Sequence, residues 1–216
     1  MTASEVAPAP QSRGAVLRQA WGSRDLRAVV IAYLIFSIGE WASYLTLLVW
    51  AFDEGGVRAA SVIALVQLVP SALLAPVGAS LLARMSRSRA LLAGYVVQTL
   101  TYGACAAALI AQAPYVVVAV TAAAAALSVT LTRPVHHALL PEISNSTAAL
   151  TVGNAATGFV EAVGVFLGPL LSGVLIVVIG PGGVVVVLAG LSVVASGLCL
   201  LVTRRPRVPL ARHGVP

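Results

Sequence analysis

Residues 149–177 read ALTVGNAATGFVEAVGVFLGPLLSGVLIV. These 29 residues carry a single charge, Glu161. About 20 consecutive apolar residues suffice for an α-helix to cross the hydrocarbon core of a bilayer. The stretch therefore predicts a membrane span, kinked or tilted where Gly168-Pro169 removes a backbone donor.

Five further apolar runs, at 28–51, 59–83, 90–111, 115–132 and 183–203, have the same character. Together they predict an all-α membrane protein of six transmembrane helices. The composition agrees: 59% of the 216 residues are hydrophobic and 9% are charged. A soluble domain carries about 25% charged residues, so most of this surface is expected to face lipid. Residues 1–27 are expected to form an N-terminal tail, 28–203 the transmembrane domain and 204–216 a basic tail. The N-terminal tail has no apolar core of its own, so the first apolar run is read as a retained anchor, not a cleaved leader.

The net charge is +6, and all thirteen basic residues are arginine. Arg13, Arg18, Arg24 and Arg27 precede the first run, and Arg84, Arg87 and Arg89 separate the second and third. Arg133 follows the fourth, and Arg204, Arg205, Arg207 and Arg212 follow the last. With six spans, twelve of the thirteen lie on one side and only Arg58 lies on the other. The positive-inside rule then puts both termini in the cytoplasm of a multi-pass cell (inner) membrane protein. Arginines that flank apolar runs do not form a nucleic-acid surface, and no nucleic-acid partner is expected. Cys105 and Cys199 lie inside apolar runs and form no redox or metal spacing.

Two carboxylates fall inside the runs. Glu40 and Glu161 each stand about 12 residues, or roughly 18 Å, from the cytoplasmic start of their span, near the bilayer midplane. A charge at that depth is costly unless it is neutral, paired or hydrated, and such residues commonly mark an ion or substrate path. Glu40 shares a helical face with Tyr33, Ser37, Ser43 and Tyr44, and Glu161 shares one with Asn154, Gly164 and Gly168. Glu40, Glu161, Asn154, Tyr44, Tyr33 and Gln67 are the candidate substrate and proton path. The packing alternative for each acid is a protonated carboxyl that bonds a neighbouring helix. Gly164, Gly168 and Ser172 form a small-residue stripe that admits another backbone closely.

Pro70 and Pro76 in the second run and Pro169 in the fifth place helix breakers at corresponding positions of two three-helix halves, the pattern of inverted-repeat transporters. The sixth run, nearly featureless, is expected to face lipid. His136 and His137 are expected in a cytoplasmic loop from 133 to 147, with only Glu142 nearby as a further ligand, so no metal site and no cofactor are read. A nucleophile–base constellation is also missing. Ser196-Gly197 follows Val194-Ala195, not the Gly-x of an intramembrane serine protease, and no His falls inside a run. The chain is not read as an enzyme.

Three places carry a resemblance. One is Ser37-Ile38-Gly39-Glu40 with the acidic Gly-Gly turn beyond it. Another is Leu82-Ala83-Arg84-Met85-Ser86-Arg87. The third runs from Arg133-Pro134 through Leu140-Pro141-Glu142 and Gly153-Asn154-Ala155 to Gly168-Pro169-Leu170-Leu171-Ser172-Gly173. Together these resemble the amino-terminal six-helix half of a major facilitator superfamily transporter, of the bacterial drug and siderophore exporter kind. The last stretch is similar to a branch sometimes fused to a cyclic-nucleotide-binding domain. The chain departs from the superfamily pattern at Ala83, where an Asp is usual, at Ser86, where a Gly is usual, and at Ser172, the first of the final glycine pair.

The resemblance implies two three-helix inverted repeats. It also implies transport of a small molecule by alternating access, as proton-coupled efflux (an antiporter), with Arg84, Arg87, Gly164, Gly168, Pro169 and Gly173 as conformational motifs. The superfamily places its path between two halves, so the expected partners are the bilayer, the substrate and a second six-helix half, of the same chain or another. The alternative is a non-transport membrane anchor or regulatory subunit, or a truncated remnant of a transporter.

Overall fold

The computed structural model describes residues 24–143 and 147–203. The expected basic tail at 204–216, and the N-terminal tail up to residue 23, lie outside the described residues.

Among the described residues the chain forms four helices: α1 (Arg24–Leu82), α2 (Arg87–Ile110), α3 (Tyr115–Ile143) and α4 (Thr147–Thr203). All four are long and apolar enough to cross a membrane. The expectation of six helices is corrected to four, and with it goes the division into two three-helix repeats of a major-facilitator-type half. The reason is local. Two of the expected loops are not loops. At 52–58 and 178–182 one helical segment passes into the next across a glycine kink, so that α1 and α4 run for 59 and 57 residues.

Each long helix is broken by glycine inside it. Gly55 has φ −161° and ψ 26°, Gly56 φ 63° and ψ −154°, and Gly180 φ 70° and ψ 169°. The dihedrals of Gly56 and Gly180 are nearly closed to residues with a Cβ. At the first break the chain doubles back. Tyr115 stacks on Trp50 at 5.4 Å between ring centroids, and its hydroxyl donates to the carbonyl of Ala59 at 2.7 Å. One ring thus touches both sides of the break. Glu40 and Gln67 also line one cavity, although 27 residues of straight helix would hold them about 40 Å apart.

A third expected loop is helical as well. Helix α3 continues past Arg133 to Ile143 with Pro134 and Pro141 inside it. Each proline removes one backbone donor, but the side chains around them are held by α1 and α4, as described below. The turn at 111–114 is present as expected, with Gln112 at φ 50°.

Helix α1 packs most extensively on α4; α2 bridges α4 and α3; α3 packs on α1 and α2 and meets α4 only marginally. The core between them holds Tyr33, Phe36, Tyr95, Tyr102, Leu139 and Leu140. The final stretch of α4 does not simply face lipid, because Val184, Val185, Leu188, Ala195 and Cys199 are buried. The outside is apolar. Phe159 and Phe166 are each 71% exposed and Val177 is 86% exposed, as suits a surface whose solvent is hydrocarbon.

Candidate functional site

The glycine stripe of α4 sets how closely α1 and α4 approach. A Cβ on Gly164 would lie 2.0 Å from Ser37 Oγ and 2.8 Å from the Ser37 backbone carbonyl carbon. One on Gly168 would lie 2.7 Å from Trp41 Cβ, 2.9 Å from the Ile38 carbonyl oxygen and 3.0 Å from the Ala42 nitrogen. One turn on, Ser172 Oγ and Thr46 Oγ1 are 2.8 Å apart. Contacts advance in step along both helices, from 37 to 46 against 164 to 172, so these segments run parallel. Small side chains therefore give backbone-to-backbone packing, and Tyr33 and Glu40 come within reach of what α3 and α4 present.

What they present is charged. From α3, the Arg133 guanidinium donates through Nη2 to Glu40 Oε2 on α1, and through Nη1 to Glu161 Oε1 on α4 at 3.1 Å. Tyr33 on α1 donates its hydroxyl to Glu161 Oε1. His137 Nε2 lies 3.3 Å from the Tyr33 hydroxyl and 3.4 Å from Glu161 Oε1. His136, fully buried, stacks face to face on Tyr33, with centroids 3.8 Å apart and planes 10° from parallel. A guanidinium presents five donors in a rigid fork, so one arginine can hold two carboxylates from different helices, where lysine offers only a point charge. With both acids ionised the trio carries one net negative charge. A single proton on either acid, or on His137, neutralises the cluster.

Beside Glu40 lies a cavity of about 340 Å³. Its wall combines the Glu40 carboxylate, the rings of Trp41 and Tyr44, the Gln67 amide, the Ser71 hydroxyl and the apolar Val129. That volume is within the range of small-molecule sites, and an apolar wall with a few convergent polar groups is their usual lining.

The structure brings together Glu40, Glu161 and Tyr33 in the ion-pair cluster, and Glu40, Tyr44 and Gln67 around the cavity. Asn154 is exposed on α4 and joins neither. Gly164 and Gly168 are packing positions. Pro169 lies within α4, and Gly173 is exposed with open space around it. Arg84 is exposed in the turn after α1, whereas Arg87, the first residue of α2, donates to the Ala138 carbonyl at 2.9 Å.

Sequence reasoning missed three members of the cluster. In the sequence Arg133 reads as a flanking charge, and His136 and His137 read as part of a loop outside the runs. All three lie within a membrane-length stretch of α3. The signal was available in the spacing: 133, 136 and 137 stand at i, i+3 and i+4, one face of a helix. Arg133-Pro134 masked it by reading as a helix end. Neither a family model nor a curated protein matches the chain.

Proposed function

We propose that the chain moves a small molecule across a cell membrane by alternating access, coupled to proton entry and directed outward, as one part of a larger assembly. The observation that carries this reading is that one arginine on α3 holds two carboxylates from two other helices, within stretches long and apolar enough to span a bilayer. Ionisable residues in such stretches are expensive and are characteristic of proton relays and substrate paths.

In this mechanism, protonation of Glu40 or Glu161 weakens one arm of the Arg133 fork, and α1, α3 and α4 are free to shift relative to one another. The cavity beside Glu40 receives the substrate, and loss of the proton draws Arg133 back. The glycine contact between α1 and α4 is a smooth surface for that movement. The motifs at Arg84–Arg87 and Gly168-Pro169, with their resemblance to the major facilitator superfamily, support transport and a bacterial exporter in particular. Arginine placement supports cytoplasmic termini in an inner membrane. The side chains of Glu40, Glu161, Arg133 and His137 are 24%, 31%, 35% and 44% exposed, which supports a companion subunit or second copy that closes over this face.

The test is transport into liposomes under an imposed pH gradient, with a panel of fluorescent amphipathic cations. Glu161→Gln should abolish gradient-driven transport while leaving membrane insertion intact; unchanged transport removes Glu161 from the mechanism. A second reading, a membrane anchor or regulatory subunit, is favoured by the closure of Arg133 on both acids at once, which also knits three helices statically. It expects no cation of the panel to move in wild-type liposomes.

A further inference from the structure

A cavity of about 570 Å³ lies at the end of the bundle where α2 turns into α3, beside the glycine breaks of α1 and α4. Its wall joins Trp50, Glu54 and Gln112 to the apolar Leu109, Ile110 and Val118. Among residues 51–58, 110–115 and 178–183 the charged ones are Asp53, Glu54 and Arg58, so this end is net negative. Arg58 is exposed and is not part of the wall. Glu54 makes no ion pair or side-chain hydrogen bond among the described residues.

The wall is rigidly built. Trp50 stacks on Tyr115 with planes 17° apart, and the Tyr115 hydroxyl is tied to the Ala59 carbonyl at 2.7 Å. Gln112 has φ 50°, and the next amide, of Ala113, donates back to the Ala108 carbonyl at 2.9 Å to cap α2. Such a left-handed cap is usually glycine or asparagine; here it sets a longer amide at the cavity. A Cβ on Gly182 would lie 2.8 Å from Ile110 Cγ1, so the bare glycine lets the start of the last segment of α4 close against the end of α2.

We propose that this cavity binds an ammonium cation, carried by a free organic amine or by a lipid headgroup. An indole attracts a cation through its ring quadrupole, and a carboxylate in a recess with low-dielectric walls focuses that attraction. Alkyl groups on the nitrogen would meet Leu109 and Val118. No group of three or more metal-ligating side chains occurs among the described residues, so the wall suits an organic cation better than a metal ion. Glu54 lies 14 residues beyond Glu40, about 21 Å along α1, and the two cavities share no wall residue. The inference does not depend on the transport reading.

The experiment titrates the purified full chain in maltoside detergent with choline, its neutral carbon isostere 3,3-dimethylbutan-1-ol and dioctanoyl phosphatidylethanolamine, by isothermal calorimetry. The expected result is saturable binding of an ammonium compound at least tenfold tighter than the isostere. Glu54→Gln should weaken it by about tenfold and Trp50→Leu several-fold, whereas Asp53→Asn, outside the wall, should change it less than about twofold. If Trp50→Leu does not fold, Glu54→Gln, at an exposed position, still decides. Phosphatidylethanolamine binding that depends on Glu54 assigns the cation to a headgroup, and Glu54-dependent binding of choline alone assigns it to solution. Neither ammonium compound binding more tightly than the isostere, or an affinity that Glu54→Gln leaves unchanged, overturns the proposal.

Discussion

Replacing Arg133 with glutamine tests whether the ion-pair cluster holds three helices together. The substitution removes the only guanidinium that reaches Glu40 and Glu161 among the described residues, puts a shorter neutral amide in its place and leaves two carboxylates without their cation. At 3.1 Å a unit charge pair interacts by about 5 kcal/mol at an effective dielectric of ~20. The side chains of Arg133, Glu40 and Glu161 are 35%, 24% and 31% exposed, and partial hydration reduces that figure. Removing one partner of a buried pair costs about 3–5 kcal/mol, so roughly 3 kcal/mol is expected here. The assay is SDS-induced unfolding in mixed micelles, followed by tryptophan fluorescence. Most of the loss comes from stranded charge, not from lost packing. The triple variant Arg133→Gln/Glu40→Gln/Glu161→Gln should therefore recover to within about 1 kcal/mol of wild type. A single variant that loses less than about 1 kcal/mol, or a triple variant no better than the single, refutes the electrostatic account of this cluster.

Two further predictions follow from the glycines. Gly168→Val should cost about 1–3 kcal/mol, because two of the three atoms it meets are backbone and cannot rotate away; Gly173→Ala, with open space around it, should be neutral or slightly stabilising, and thermal melting in detergent separates the two. Gly56→Ala should cost about 1–3 kcal/mol through its φ of 63° and ψ of −154°, whereas an unchanged melting temperature would mean that the break in α1 is not held in this conformation.

Much of the site was legible in the residues. Glu40 and Glu161 stand out because a charge is rare in an apolar run, and the spacing of Gly164, Gly168 and Ser172 announced the close approach that Ser37, Trp41 and Thr46 complete. Tyr44 is legible by sharing a helical face with Glu40, whereas Gln67, in the second run, shares no run with either acid. Asn154 was not separable from them, because helical spacing gives a face but not which neighbour occupies it. Arg133 was hidden by its own chemistry, since an arginine followed by proline at the end of an apolar run reads as a flank. Its placement depends on two acids that are 93 residues before it and 28 residues after it. The helix count failed for a related reason. Asp53-Glu54-Gly55-Gly56 and Gly180-Pro181-Gly182 carry turn residues, and sequence does not distinguish a loop from a break made by Gly55 and Gly56, or by Gly180 alone, inside one long helix.

Proton exchange by Glu40 and Glu161 is the central step of the proposed transport. Infrared difference spectroscopy of the protein in lipid, recorded on acidification, reads this directly through the C=O stretch of a protonated carboxyl. A band that appears on acidification in wild type and is lost or diminished in Glu40→Gln or Glu161→Gln is the predicted result. No such band, or one that persists unchanged in both variants, would contradict it.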